Sequence, residues 1–404
     1  MYANIVSLFF LYNQIPGVED MIYFDQAASS FPKPPEVGEA MVHAVNDIGA
    51  NPGRGSHRLA NKAADIVAET RETAARLFGI NNPKKALFFS NATAALNQAI
   101  KGLSWSRNNH VIATNFEHNS IRRPLEYIKS QYGVNVTYLS WNNEAEDFIK
   151  QVEQSITDKT KLIAMTHASN VTGSVIPIKK IAAVAKRNNI PILIDASQTA
   201  GHLSIHMQEM NIDMLAFPGH KGLLGPQGTG MLLVNGNINL NPINHGGTGS
   251  FSEIPDQPSQ WPERLEAGTL NTPGIAGLNA ALRCYEERKN KNVPRETILC
   301  QRLAKGLKEI DGVNCYEIDE EKRHMPIVAF NVLNVPSQEI AMVLDSHYDI
   351  AVRAGLHCSP LTHEALNTAD RGVVRASLGI YNTDEEVEQF LEAIQEITES
   401  YKLL

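Results

Sequence analysis

Short apolar runs recur along the first part of the chain. Between about residue 60 and residue 235 they are "ALFFS", "HVIAT", "NVTYL", "KLIAMT", "PILID", "DMLAF" and "GMLLV". Their near-continuous hydrophobicity is the pattern of strands buried on both faces. Segments of helical spacing lie between several of them. In "PIKKIAAVAKRN", Ile178, Ile181, Ala182 and Ala185 share one helical face. Strands alternating with helices predict a mostly parallel sheet with helices on both sides.

Beyond residue 270 the pattern changes. Two helical stretches, "GIAGLNAALRCYEERKNK" and "RETILCQRLAKGLKEI", precede strands "PIVAFNVL" and "VVRASLG". A last amphipathic helix, "DEEVEQFLEAIQEITESYKL", has Asp384 near its start, where a carboxylate favours the helix dipole. The expected fold is therefore α/β: a large domain over 36–275 and a smaller α+β domain over 21–35 plus 276–404. Residues 1–20 read as an extension. Its apolar stretch, 5–12, has neither the basic flank nor the cleavage site of a signal peptide, and it is shorter than the roughly twenty residues a bilayer needs.

Composition narrows the partners. Of 404 residues, 43% are hydrophobic and 20% charged, as in ordinary soluble proteins. A net charge of -8 argues against nucleic acid or an anionic membrane as the main partner. The four cysteines, Cys284, Cys300, Cys315 and Cys358, show no CxxC spacing, so neither a zinc site nor a disulfide framework is indicated and a cytoplasmic location fits.

Candidate chemistry gathers at strand ends, where open α/β sheets place their sites. Asp195 ends "ILID"; His167 and Asn170 follow "IAMT"; His118 follows "VIAT"; and "FFSNATAALN" passes from strand to helix through Asn91, Ala92 and Thr93. Lys221 sits in "FPGHKGLLGPQGTG", a glycine-rich loop after "DMLAF". A solvated turn lysine is one reading. The other is a Schiff-base lysine, since an ammonium pKa falls readily on burial. A pyridoxal phosphate site needs such a lysine, a carboxylate for the pyridine nitrogen, a helix start for the phosphate and a flat side chain over the ring. Lys221, Asp195, the Asn91–Thr93 turn and His118 meet those needs. The lysine of a P-loop would be followed by Ser or Thr, and "GPQGTG" lacks the glycine spacing of a dinucleotide site.

These residues resemble the class V aminotransferases of PLP fold type I, and among them the cysteine desulfurases. The matching stretches, in order, are "IYFDQAASS", "ANPGRGSHRLA", "NATAALN", "EHNS", "THASNVTG", "DASQTAG", "GHKGLLGPQGTG", "GGTGS", "EAGTLNTPGIAGL", "RAGLHC" and "VRASLGIYNT". The short interval between the last two resembles the SufS-like subgroup. The resemblance implies that Lys221 carries pyridoxal 5'-phosphate, Asp195 pairs with its ring nitrogen and Gln198 bonds its phenolic oxygen. His118 would stack on the ring and assist proton transfer. Asn170 would lie near the phenolic oxygen and the substrate. Ala92 and Thr93, with backbone N–H groups, and His220 would surround the phosphate. Thr248 would reach the phosphate of the neighbouring subunit of a homodimer. Three positions depart from the family pattern: Gln26 stands for Asn, Ala92 for a second Thr, and Pro218 for a hydroxyl residue.

Cys284 and Cys300 fall in helical patterns and Cys315 in a strand, so they read as packing residues. Cys358 lies in an apparent loop beside His357, five residues after Arg353, and nearby cations raise the thiolate fraction. A zinc site from His357, Cys358 and His363 lacks ligand spacing. Arg375, alone in an apolar strand, needs a partner: an internal carboxylate or, as the resemblance implies, the substrate's carboxylate, with Arg353 nearby. The activity implied is removal of sulfur from L-cysteine, leaving alanine and a persulfide on Cys358 for an acceptor protein or thiol. A selenocysteine lyase, transaminase or epimerase on the same fold, or a non-catalytic sulfur-relay or regulatory protein, are the alternatives.

Overall fold

The computed structural model describes residues 21–53, 55, 57–289, 295–316 and 323–403; the expected extension over 1–20 lies outside them. A two-residue strand, β1 (Ile22–Tyr23), opens the described chain. All seven apolar runs then form strands: β2 (Ala86–Phe89), β3 (His110–Thr114), β4 (Asn135–Leu139), β5 (Thr160–Thr166), β6 (Ile192–Asp195), β7 (Met214–Pro218) and β8 (Gly230–Val234). They make one sheet in the order β2-β8-β7-β6-β5-β3-β4. β8 runs opposite to the other six strands.

Side chains along these strands alternate between two cores. Ile112, Ile192 and Ile194 enter one core, with Phe78, Phe217 and Ile181. Val111, Ala113 and Leu193 enter the other, with Leu96, Ile121 and Leu125. The period of two sends successive residues to opposite faces, and helices cover both. Every residue of β3, β7 and β8 is buried, whereas edge strand β4 exposes Asn135.

A second sheet uses the later strands: β9 (Val313–Tyr316), β10 (Ile327–Val332), β11 (Ile350–Ala351), β12 (Arg353–Gly355) and β13 (Val373–Ser377). Four of them pair antiparallel in the order β12-β13-β10-β9. Phe330, Val374, Leu303 and Phe390 pack into its core. β1 joins this end of the chain by pairing parallel with β11. The last helix, Asp384–Lys402, starts at a reciprocal cap between Thr383 and Glu386, one residue before the acidic turn. Among the described residues no helix is long and apolar enough to cross a membrane.

Candidate active site

Six strands of the large sheet, all but β8, deliver their carboxyl ends to one rim. β7 ends at Pro218, and the chain turns through Gly219 and His220 to Lys221. The loop is tight because glycines let chain approach chain. A Cβ on Gly222 would lie 2.4 Å from the His202 ring, and one on Gly201 would lie 2.2 Å from the Gly222 carbonyl carbon. Gly201 also has φ +94, which side-chain-bearing residues seldom adopt. Burial brings the Lys221 ammonium down to about 8, with Asp195 opposing the shift and Arg375 and Arg353 adding to it. This is not a solvated turn lysine.

Asp195 ends β6, beside Ala216 of β7 in register, and is 3% exposed. Burial raises its pKa; Ser197, through its N–H and hydroxyl, and Lys221 act against that. Glu117, which the sequence left without a role, is fully buried next to this strand system. It accepts from the Thr114 N–H and hydroxyl and from the Thr166 N–H, and burial pushes it up to about 8.

His118 caps the helix Asn119–Tyr132: the Ser120 N–H donates to its Nδ1 at 3.1 Å. An Nδ1 that accepts leaves the ring proton on Nε2. Burial, then the cations Lys221, Arg353, Arg375 and Arg123, bring His118 down to about 4, so the ring is neutral at physiological pH. The Ser120 hydroxyl lies 2.8 Å from Nδ1 and 2.7 Å from the Thr93 hydroxyl. Ser120 thus links two residues named from the sequence and was itself missed; an uncharged serine gives no such signal.

Asn91 caps the helix Ala92–Lys101 by accepting from the Ala94 N–H, so Ala92 and Thr93 stand in its first turn. The start of β8 presses on that turn: a Cβ on Gly230 would lie 2.5 Å from the Asn91 carbonyl carbon. The buried His220 Nδ1 has no partner among the described residues, while the His220 carbonyl accepts from the Ser30 N–H and hydroxyl. Gln198 donates to the Ala27 carbonyl at 3.2 Å. Gln26 closes its own loop, donating to the Phe31 carbonyl and accepting its N–H. His167 is buried against the Thr199 hydroxyl. Thr248 is not brought to this rim by any bond; its hydroxyl donates to the Ser250 carbonyl in its own loop.

Arg375, in β13, is 2% exposed and pairs with Asp25 at 2.8 Å, so the internal salt bridge weighed as the alternative is present. Its Nη1 donates to the Asn170 carbonyl at 2.9 Å. Its buried Nε has no partner among the described residues, a donor left over for a ligand carboxylate. Arg353 stands opposite it across β12 and β13. Cys358 follows β12 and is the exposed cysteine; burial pushes Cys300 up to about 12 and Cys315 up to about 11. The Cys358 carbonyl accepts from the Asn119 N–H at 2.8 Å, which seats the thiol loop against the residue after His118. Among the described residues no group of three His, Cys, Asp or Glu is arranged to hold a metal, the set around Cys358 included.

A half-buried lysine near a buried aspartate thus stands at the strand ends of this sheet. The class-V aminotransferase family model matches residues 22–390: the chain belongs to that family. Within the class it belongs with the cysteine desulfurases. It is 32% identical over 391 residues to a probable cysteine desulfurase of Methanothermobacter thermautotrophicus, covering 95% of this chain and 96% of the relative. A probable cysteine desulfurase of Pyrococcus abyssi is also 32% identical, with 96% and 97% covered. The apo structure of the cysteine desulfurase from Thermococcus onnurineus NA1 superposes with a TM-score of 0.89 at 32% identity, covering 96% of each chain.

Proposed function

We propose that the protein is a pyridoxal phosphate-dependent cysteine desulfurase, taking sulfur from L-cysteine and releasing L-alanine. The observation that carries this reading is the seat of the exposed Cys358 loop on the helix that His118 caps, on the rim that holds Lys221 and Asp195. A transaminase has no use for a thiol there.

The residues present fit the cofactor: a lysine whose ammonium is brought down to about 8, a buried aspartate beside it, an unpartnered buried Nδ1 on His220 and a helix start at Ala92–Thr93. Lys221 would hold its aldehyde carbon, Asp195 its ring nitrogen, and Thr93, His220 and backbone N–H groups its phosphate. When bound, the cofactor supplies an electron sink for the substrate's α-carbon. The Lys221 amine would take the substrate's α-proton. His118 holds a proton at Nε2 for return to substrate. Arg375, through Nε, and Arg353 draw the substrate carboxylate. The Cys358 thiolate attacks the substrate sulfur. The sulfur–carbon bond breaks, its electron pair passes to the β-carbon, and that carbon takes a proton. Alanine leaves and Cys358 keeps the sulfur as a persulfide, with no external oxidant required. We further take the protein to work as a cytoplasmic homodimer of subunits divided into 36–275 and 21–35 plus 276–404. Thr248 would reach the partner's site, and the persulfide would pass to an acceptor protein or thiol.

Cys358→Ala tests the reading. The variant should still exchange the α-proton of L-alanine with deuterated solvent at close to the wild-type rate, because that step uses Lys221 and not a thiol. Alanine and sulfide release from L-cysteine should fall at least a hundredfold. Wild-type protein treated with cysteine should carry one added sulfur on the Cys358 peptide by mass spectrometry. Wild-type desulfuration by the variant would overturn the assignment.

A further inference from the structure

Cys358 sits in a conformation that side-chain-bearing residues seldom hold. His357 has φ +48 and Cys358 has φ +58, two consecutive left-handed residues without a glycine. Such a pair persists only where its surroundings hold it. Here the holding is done by Asn170. Its Nδ2 donates to the carbonyl of His357, the residue before the cysteine, at 2.8 Å. Its Oδ1 accepts from the hydroxyl of Ser359, the residue after, at 2.6 Å. Both flanks of the thiol are thus fastened to one amide, and Ser359 is fully buried. The Asn119 N–H takes the Cys358 carbonyl, and the Ser359 N–H bonds the Leu356 carbonyl at 2.9 Å. His357 lies beside the Val373 carbonyl, its Nε2 at 3.1 Å. A carbonyl cannot donate, so the proton is on that nitrogen. The clamp continues inward, since the Asn170 carbonyl is held by Arg375 and Arg375 by Asp25.

We infer that Ser359 is a positioning residue for sulfur transfer: with Asn170 it forms a two-point clamp that fixes the Cys358 loop in its left-handed conformation. The inference rests on Cys358 being the sulfur acceptor. Asn170 acquires a second duty beyond the cofactor and substrate contacts that the family resemblance implies. Through Arg375 the clamp also ties the site of carboxylate capture to the attacking thiol. The loop is therefore set by the same arginine that would orient the substrate.

The test compares wild type with Ser359→Ala as the cofactor-loaded enzyme. Exchange of the L-alanine α-proton with deuterated solvent, which needs the cofactor limb but no thiol, should stay within twofold. Desulfuration kcat should fall at least tenfold while KM for L-cysteine stays within threefold. Alkylation of Cys358 by iodoacetamide, measured without cysteine, should quicken at least threefold as the loop is released. Unchanged alkylation, unchanged kcat, or a fall in alanine exchange as large as the fall in kcat would each overturn the clamp. The alkylation arm reads the loop without the reaction. A wild type that takes no sulfur onto Cys358 would remove the desulfurase reading and the role in sulfur transfer with it, whereas unchanged alkylation in Ser359→Ala, with sulfur still loaded on wild-type Cys358, would overturn the clamp alone.

Discussion

Lys221 shows how much of a site one side chain can report. Its ammonium is brought down to about 8 from an ordinary 10.5, chiefly by burial. At pH 8 about half of the Lys221 amines are then neutral, against roughly one in 300 for an unperturbed lysine. In the cofactor-free protein, pulse acetylation read by mass spectrometry should give Lys221 a midpoint near pH 8. A Lys221 midpoint near 10 would remove the argument. The sign for stability follows. Between pH 8 and 10.5 the unfolded chain binds this proton and the native chain does not, so the lysine's contribution to stability rises with pH across that window. Lys221, Asp195, His118 and Cys358 were legible in the sequence because charge or reactivity at a strand end stands out. Ser120 and Ser359 were not. A serine carries no charge and no periodicity, and their partners lie 27 and 189 positions away in the chain.

At the level of elements, the apolar runs predicted all seven strands of the large sheet, since burial on both faces leaves little but Val, Ile, Leu, Met, Ala and Phe in them. That the sheet is mostly parallel was legible from the alternation with helices; the strand order, and which strand runs the other way, were not. A run buried on both sides reads the same whether it lies parallel or antiparallel, and β8 is the antiparallel one, inserted between β2 and β7. The short strands β1, β11 and β12 went unread because two or three residues carry no period. The position of β8 has a consequence for the helix start at Ala92–Thr93. Gly230 opens β8 directly against the Asn91 backbone, and a methyl there would lie 2.5 Å from the Asn91 carbonyl carbon. Backbone cannot swing aside as a side chain can. Gly230→Ala should therefore cost about 1–3 kcal/mol, the range for overpacking a tight contact, and should displace the turn proposed to hold phosphate. The measurements are a chemical-denaturation midpoint and the cofactor retained after dialysis. Both should fall. A variant that melts early yet keeps its cofactor would show that the Ala92–Thr93 turn does not bear on phosphate.

Across the whole molecule, one ion pair joins the beginning of the described chain to its end. Asp25 and Arg375 are 350 positions apart, and the same stretch is stitched by the Ser377 hydroxyl accepting from the Ala27 N–H and by the Ser377 N–H on the Phe24 carbonyl. Arg375 is among the largest fully buried side chains, in a strand of valine and alanine, so its charge has little solvent to fall back on. Asp25 is 22% exposed and can be rehydrated when alone, whereas Arg375 cannot. Removing the carboxylate is thus the more damaging half-deletion, because it strands a buried cation. Asp25→Ala should lower unfolding stability by about 3 kcal/mol, the lower end for breaking a buried pair, since water can enter through the exposed flank. Asp25→Asn, which keeps the shape and an accepting oxygen, should recover part of that loss. The guanidinium also carries the Asn170 carbonyl and the unpartnered Nε, so its disturbance should raise KM for L-cysteine as well. Urea unfolding of both variants and their steady-state kinetics check this. If Asp25→Ala unfolds at the wild-type midpoint, the pair is not what holds the first described residues to the last sheet, and the hydrogen bonds that Ser377 makes with Phe24 and Ala27 are sufficient by themselves.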